Sequence, residues 1–464
     1  MDFKEPYSSL VTSPKQFIQS ANFPDPSRIN LYDTTLRDGE QMPGVAFSPQ
    51  QKYEIAKALS DIGVHMIEVG FPAVAESERK TVQLIVEGKR RGEIREDMEL
   101  VAISRCNRGD VDATIRALDE INVSPDEVSI AMFTSGSDLH IKYKIGKLLL
   151  RLEGKDEAEQ LDTPLSFFRQ ANIKLFQDVI RYARKQGIEI IQVVAEDCSR
   201  ADPDYVVELF KAGIEAGGAR PTLTDTVGCG IPQLIEHYSK KMVEAMPDVD
   251  LLTHFHNDYG LGTINTITAM AAGFNCAGVG ANGLGERAGN APLHEVVAAL
   301  RWLYGIEIPG FKYDQLRKLG HVIEKYAGIP IAVNAPVIGA HVFSHESGIH
   351  TAGVLIDPRI YEGIPSEAVG AHTGYIFGKH SGSQIVQFAL EKHAKMLADR
   401  GIKITDDLIF KVTDEVKRLR EEQAESDHAE KIVEEIHRAL GRLGITDGDV
   451  AQIAISIAEK EKTK

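Results

Sequence analysis

Eight short apolar runs separated by helical patterns, between residues 28 and 303, predict an α/β fold: a TIM (β/α)8 barrel followed by a mainly helical C-terminal region. Three observations carry the prediction. Strand and helix patterns alternate eight times, they fill the roughly 250 or more residues that such a barrel needs, and after Gly305 the alternation stops. A doubly wound open sheet fits less well, because no glycine-rich fingerprint follows the first run.

Residues 1–27 are polar and aperiodic, with Pro6, Pro14, Pro24 and Pro26, and predict an extended arm. RINLYDTTL opens the first strand and SPQQKYEIAKALSDIG the first helix, with Ser48 as N-cap, Pro49 at N1 and Gly63 at the end. Further strands are expected at HMIEVGF, ELVAIS, EVSIAMF, EIIQVVAED, RPTLTD, DLLTHFH and NCAGVGAN. Between them lie helical patterns such as DPDYVVELFKAGIEAGG and PQLIEHYSKKMVEAM. The fourth gap is long and charged, GSDLHIKYKIGKLLLRLEGKDEAEQ. Because it follows a strand end, it is expected over the barrel mouth, as a solvated lid helix or a substrate-facing loop. The barrel domain is thus expected over 28–305. A linker or lid subdomain rich in histidine, glycine and proline follows over 306–382, then a charged helical subdomain over 383–464.

The balance of 52 basic against 68 acidic residues, net −16, argues against broad nucleic-acid or anionic-membrane binding. A local basic pocket for an anionic cofactor remains compatible with it. Cys106, Cys198, Cys229 and Cys276 share no CxxC spacing, so neither a zinc knuckle nor a disulfide framework is expected. With no apolar leader and no run of 18 apolar residues, a cytoplasmic protein without membrane attachment is expected.

Polar residues collect at the predicted strand ends, where TIM barrels carry their chemistry. Arg37, Asp38 and Gln41 follow the first strand, Glu196 and Asp197 the fifth, and Asp225 and Thr226 the sixth. His254, His256, Asn257 and Asp258 end the seventh, and Asn282, Glu286, Arg287 and Asn290 follow the eighth. Two residues apart on a strand, His254 and His256 point to the same face. With Asp38 they offer one oxygen and two nitrogens to a divalent ion, Mg²⁺, Mn²⁺, Co²⁺ or Zn²⁺, leaving positions for a chelating 2-oxoacid. Arg37 is then placed to stabilise an alkoxide developing on the ketone.

LYDTTLRDGEQ, LLTHFHNDYGLG and NGLGERAGNAPL together resemble the signatures of the isopropylmalate, homocitrate and citramalate synthases. Re-type citrate synthase and hydroxymethylglutaryl-CoA lyase are relatives of these enzymes. The resemblance spans about residues 28–382. It implies a barrel that condenses acetyl-CoA with a 2-oxoacid and then hydrolyses the thioester. It further implies Asp38, His254 and His256 as metal ligands, with Asn290 supporting their shell. Arg37 falls on the ketone, and Gln41, Glu196 and Thr226 on substrate. The GERAGN loop, with Gly285, Glu286, Arg287, Gly289 and Asn290, matches the part that helps hold coenzyme A. His350 of HESGIH and Tyr361 match catalytic residues that family dimers donate across to the neighbouring subunit, so a homodimer with exchanged lids is implied. Which of His350, Tyr361 and Glu196 takes the α-proton of acetyl-CoA stays open.

Lysine-pathway homocitrate synthases tend to carry glutamate, histidine and arginine where this chain has Asp38, Ile103 and Gln192, so that subtype is disfavoured. Leucine-sensing isopropylmalate synthases carry a C-terminal β/α domain, whereas 383–464 reads as helical. His140, Lys142 and Lys144 in the insertion could meet a second carboxylate. This favours oxaloacetate or 2-oxoglutarate as substrate, with isopropylmalate or citramalate synthase, and then a C–C lyase, as the alternatives.

Overall fold

In the computed structural model, which describes residues 14–18, 21–425, 428–440, 445 and 447–462, eight parallel strands close into a barrel in sequence order. The strands are β1 (Asn30–Asp33), β2 (Met66–Gly70), β3 (Glu99–Arg105), β4 (Ser129–Ser135), β5 (Ile191–Glu196), β6 (Ala219–Asp225), β7 (Leu252–Phe255) and β8 (Cys276–Val279). Closure pairs Asn30 with Cys276 and Asp33 with Val279. The expected barrel is therefore observed, strand by strand.

Local chemistry sets the helices between them. Pro49–Ile62 opens with a capping box: Ser48 Oγ accepts from Gln51 N at 3.2 Å, and the Gln51 side chain accepts from Ser48 N at 2.8 Å. It ends at Gly63, whose φ of 108° suits glycine. The apolar faces of Leu165–Lys185, Pro203–Glu215 and Pro232–Ala245 pack Phe168, Phe176, Phe210 and Tyr238 onto the outside of the strands. Inside the ring, Tyr32, Met66, Val101, Ala131, Leu252 and Cys276 form a smaller cluster. The cavity-forming ends lie above it, because parallel strands present all their C-terminal ends to one side.

Two expectations need correction. Where an extended arm was expected, the described part forms two single 3₁₀ turns, Pro14–Phe17 and Pro26–Arg28, the second capped by Asp25 onto Ser27 N at 2.9 Å. Residues 1–13, 19 and 20 lie outside the described residues. The insertion between β4 and β5 is neither a single lid helix nor a loop. A π-helical turn His140–Lys144, a helix Gly146–Leu152 and a 3₁₀ turn Glu157–Gln160 precede the long helix Leu165–Lys185.

The chain divides into two compact units, one made of residues up to 313 with 319–328, the other chiefly of 329–464. In the second unit, β9 (Ser344–His345) and β10 (Gly374–Tyr375) pair in parallel, and helix Gly348–Ile356 follows β9. Beyond it come helices Ser383–Lys392, Ala394–Ala398, Asp406–Ala424, His428–Leu440 and Asp447–Lys462, with no strand among the described residues of that stretch. No helix among the described residues is long and apolar enough to cross a membrane.

Candidate active site

The turn after β1 folds back on Thr34, whose carbonyl accepts from Asp38 N at 2.8 Å and Gly39 N at 3.1 Å. This sets Arg37 and Asp38 side by side at the mouth. Arg37 Nη1 donates to Asp38 Oδ1 at 2.8 Å, and its Nε donates to Glu68 Oε2 at 2.5 Å. Glu68 is buried in the middle of β2 and also accepts from the Tyr32 hydroxyl at 2.6 Å. One carboxylate behind Arg37 and one beside it thus fix the guanidinium in two directions.

Across the closing seam, β7 ends at Phe255, yet the alternation continues one step further. A bridge to Asn290 and a bond from His256 N to Asp225 O at 3.2 Å keep His256 in strand-like pairing. The His254 and His256 rings stand 5.1 Å apart at 88°. Asn290 Nδ2 donates to Asp38 Oδ2 at 2.6 Å and to Thr34 Oγ1 at 3.1 Å. Gly285 permits this approach, since a Cβ there would lie 2.6 Å from Asn290 Nδ2 and 2.8 Å from Asp38 Oδ2.

Ligand atoms of Asp38, His254 and His256 all lie within 4.8 Å of one another. Burial brings both imidazoles down to about 4, so each is neutral near pH 7 with a lone pair to give. Burial by itself would raise the Asp38 carboxyl, but Arg37, the two histidines and the Asn290 bond hold it at about 2. His256 Nδ1 and Asn290 Oδ1 are buried with no hydrogen-bond partner among the described residues. Orphaned acceptors beside an ionised carboxylate and two neutral imidazoles fit a divalent ion with mixed oxygen and nitrogen ligation.

These groups edge a cavity of about 740 Å³, which Gln41, Glu196, Thr226, Glu286 and Arg287 also line. Glu196, at the end of β5, is ion-paired with Lys144 from the insertion. Arg287 grips Asp258 with two bonds of 2.9 Å and donates to Thr226 O at 2.7 Å. Gly285, Gly289, Asn290 and His140 are not among the lining residues. Asn290 stands behind Asp38, and His140 Nε2 lies 3.6 Å from Asp197 Oδ2. Lys142 is spent on the insertion itself, donating to Leu161 O at 2.8 Å and Thr163 O at 3.2 Å. Other polar strand ends are structural. Asp197 takes both ends of the Arg200 guanidinium at 2.7 and 2.9 Å, and Asp225 accepts from Ser199 Oγ at 2.6 Å and Gly230 N at 2.8 Å. Asn257 caps Gly262 N at 2.9 Å.

His350 and Tyr361 belong to the second unit, where their rings stack 4.1 Å apart at 24°. Nearby, His345 Nε2 lies 3.4 Å from Glu362 Oε1, which also accepts from Thr373 Oγ1 at 2.7 Å.

Sequence reasoning singled out Ile103 but missed Glu68, Arg105 and the apolar wall that Phe71, Phe133 and Val194 build with Ile103. Glu68 had a readable signal, an acid inside an otherwise apolar strand, which needs a buried cation. The wall had none, because apolar residues at strand ends look like core.

The chain matches the HMGL-like family over residues 28–154 and 158–323, and the family described as homocitrate synthase post-HMGL domain-like over 337–424. A probable 2-isopropylmalate synthase of Ignicoccus hospitalis is 36% identical over 422 residues, covering 89% of this chain and 94% of the relative. The putative (R)-citramalate synthase CimA of Methanopyrus kandleri is 36% identical over 422 residues, covering 91% and 73%. The homocitrate synthase AksA of the same organism is 35% identical over 411 residues, covering 85% and 94%.

Proposed function

This chain belongs to the HMGL-like family, alongside 2-isopropylmalate, homocitrate and citramalate synthases, and on that premise we propose that it condenses acetyl-CoA with a 2-oxoacid. A water molecule then cleaves the thioester, releasing coenzyme A and a 2-hydroxy diacid. The observation that carries the reading is the convergence of Asp38, His254 and His256 with Arg37 in one cavity.

Asp38, His254 and His256, with Asn290 behind them, would hold a divalent ion, which when bound would supply Lewis-acid polarisation of the ketone. The chain's own groups do the rest. Arg37, braced by Glu68, donates to the ketone oxygen as charge builds on it during C–C bond formation. Glu196, with His350 and Tyr361, forms the base system that takes a methyl proton from acetyl-CoA. Gln41 and Thr226 orient the 2-oxoacid, and Glu286 and Arg287 border the coenzyme A entrance. His350 and Tyr361 reach a partner's site in a homodimer. Mixing Glu196→Ala and His350→Ala subunits therefore restores activity that neither has alone, and an active monomer in sedimentation refutes the exchange.

The substrate is read from the residues that line the cavity together with Arg37. The expected partners for a second carboxylate are committed elsewhere: Lys142 to backbone carbonyls, Lys144 to Glu196, and His140 beside Asp197. Phe71, Ile103, Phe133 and Val194 instead favour a 2-oxoacid with an alkyl substituent. The second reading, oxaloacetate or 2-oxoglutarate, rests on Arg105, which lines the same cavity but already holds Asp110 at 2.6 and 2.9 Å. Thiol release from acetyl-CoA against a panel of alkyl and dicarboxylic 2-oxoacids, with chiral analysis of the product, decides between them. Absence of release with every member overturns the synthase reading.

A further inference from the structure

The turn that carries Asp38 is held from outside the cavity by a buried lysine. Lys52, in helix Pro49–Ile62, is 1% exposed, yet its ammonium lies 2.6 Å from Glu40 Oε2 and 2.5 Å from Glu78 Oε1. Glu40 sits in the turn between Asp38 and Gln41, and Glu78 in the first turn of helix Glu76–Arg90. Each acid's other oxygen is tied to main chain: Glu40 Oε1 accepts from Phe47 N at 2.8 Å and Glu78 Oε2 from Phe71 N at 2.9 Å. The metal-ligand turn, the loop to Phe47, the first helix and the loop after β2 therefore meet at one ammonium. Gly70, at φ +129°, makes the room, because a Cβ there would lie 1.8 Å from Glu78 Oε2.

Burying an ammonium against two partly exposed carboxylates is a poor way to gain stability, since well-packed apolar groups do as well or better. What the cluster does supply is direction. Both glutamates line the cavity, and each is oriented through both of its oxygens. Without the ammonium, two partly buried like charges face each other at the cavity edge, and the pair relaxes by moving Glu40 and the turn it belongs to.

We propose that Lys52 is a positioning residue for the Asp38 turn. By fixing Glu40 it sets where Asp38 stands relative to His254 and His256, and so how tightly the three hold a divalent ion. This rests on the reading of those three as metal ligands.

The test is calorimetric titration of Mn²⁺ into the chelator-stripped full-length chain, as wild type, Lys52→Met and Glu40→Gln, with circular dichroism to verify folding. Lys52→Met keeps chain length and removes the charge, and Glu40→Gln keeps the acceptor for Phe47 N. Both variants are expected to bind Mn²⁺ about 10–100-fold more weakly with an unchanged fold. A folded Lys52→Met that binds within about threefold of wild type overturns the proposal. If that variant does not fold, Glu40→Gln decides by the same criterion. A wild type that does not bind Mn²⁺ defeats the metal reading and this proposal with it, so the two failures are told apart.

Discussion

On the β1, β7 and β8 side of the cavity, the polar groups are set by directional bonds and by strand pairing. Arg37 is held by Glu68 and Asp38, Asp38 by Asn290, and His256 by strand-like pairing with Asn290. On the β3, β4 and β5 side, Ile103, Phe133 and Val194 present apolar surface that is held only by packing. The first wall is directional and tolerates little displacement, because ligand and hydrogen-bond geometry must be held within about 0.5 Å of the productive arrangement. The second responds to volume, and volume can change by a methylene at modest cost. On the proposed reading, one wall sets the reaction class and the other the choice of 2-oxoacid.

The comparison breaks if the directional wall proves dispensable. Chelation, or His254→Ala, is expected to lower thiol release by about 10³-fold or more, equal to several kcal/mol of lost transition-state stabilisation, with divalent ion restoring the chelated wild type. Full turnover in a sample that elemental analysis finds metal-free would falsify the assignment. Arg37→Ala is expected next, with turnover down about 10²–10³-fold and little change in KM, because its charge is needed only as the alkoxide forms. Hydrogen–deuterium exchange of the acetyl methyl group, with a non-condensing 2-oxoacid analogue bound, should survive Arg37→Ala and be lost in His350→Ala. Exchange at the wild-type rate in the His350 variant moves the base role to another residue.

The packed wall should give smaller and more selective effects. Ile103→Ala is expected to change the kcat/KM ratio between a long and a short alkyl 2-oxoacid by about 10–200-fold, the worth of a methylene or two in such a pocket. An unchanged ratio removes Ile103 from the specificity wall. The smallest effect belongs to Lys142→Met, which loses two bonds to backbone carbonyls. About 1 kcal/mol of stability should go in thermal melts, with KM for the 2-oxoacid almost unmoved. A large rise in KM would return that lysine to the substrate.

The same division explains what could be read from the chain. The barrel was legible because short, mainly apolar runs alternate with helical patterns eight times and the first helix carries its own cap, proline and terminal glycine. The directional wall was legible because imidazole, guanidinium and carboxylate at consecutive strand ends have few structural uses in combination. Arg287 was found, but not its hold on Asp258, since a side chain at φ 59° reaches in a direction no spacing rule provides. In the insertion, HIKYK reads as a cationic strip that could meet a second carboxylate. Its π-helical winding turns Lys142 back onto Leu161 and Thr163, and Lys144 pairs with Glu196, which lines the cavity. Lys52 was hidden for the opposite reason, as a lysine in an amphipathic helix is normally solvated.

Asp38 follows the first strand of the ring and Asn290 the last, 252 positions apart in the chain, and β1 lies directly beside β8. The metal corner thus straddles the seam where a ribbon of strands becomes a cylinder. A chain still being synthesised cannot assemble it until residue 290 has emerged, and closing so long a loop must be completed before any contact across the seam repays it. An ion that binds only the assembled corner therefore favours the shut ring over the open one by mass action. On the proposed metal reading, the candidate site is also the latch of the barrel, and ion binding there reports that the ring has closed.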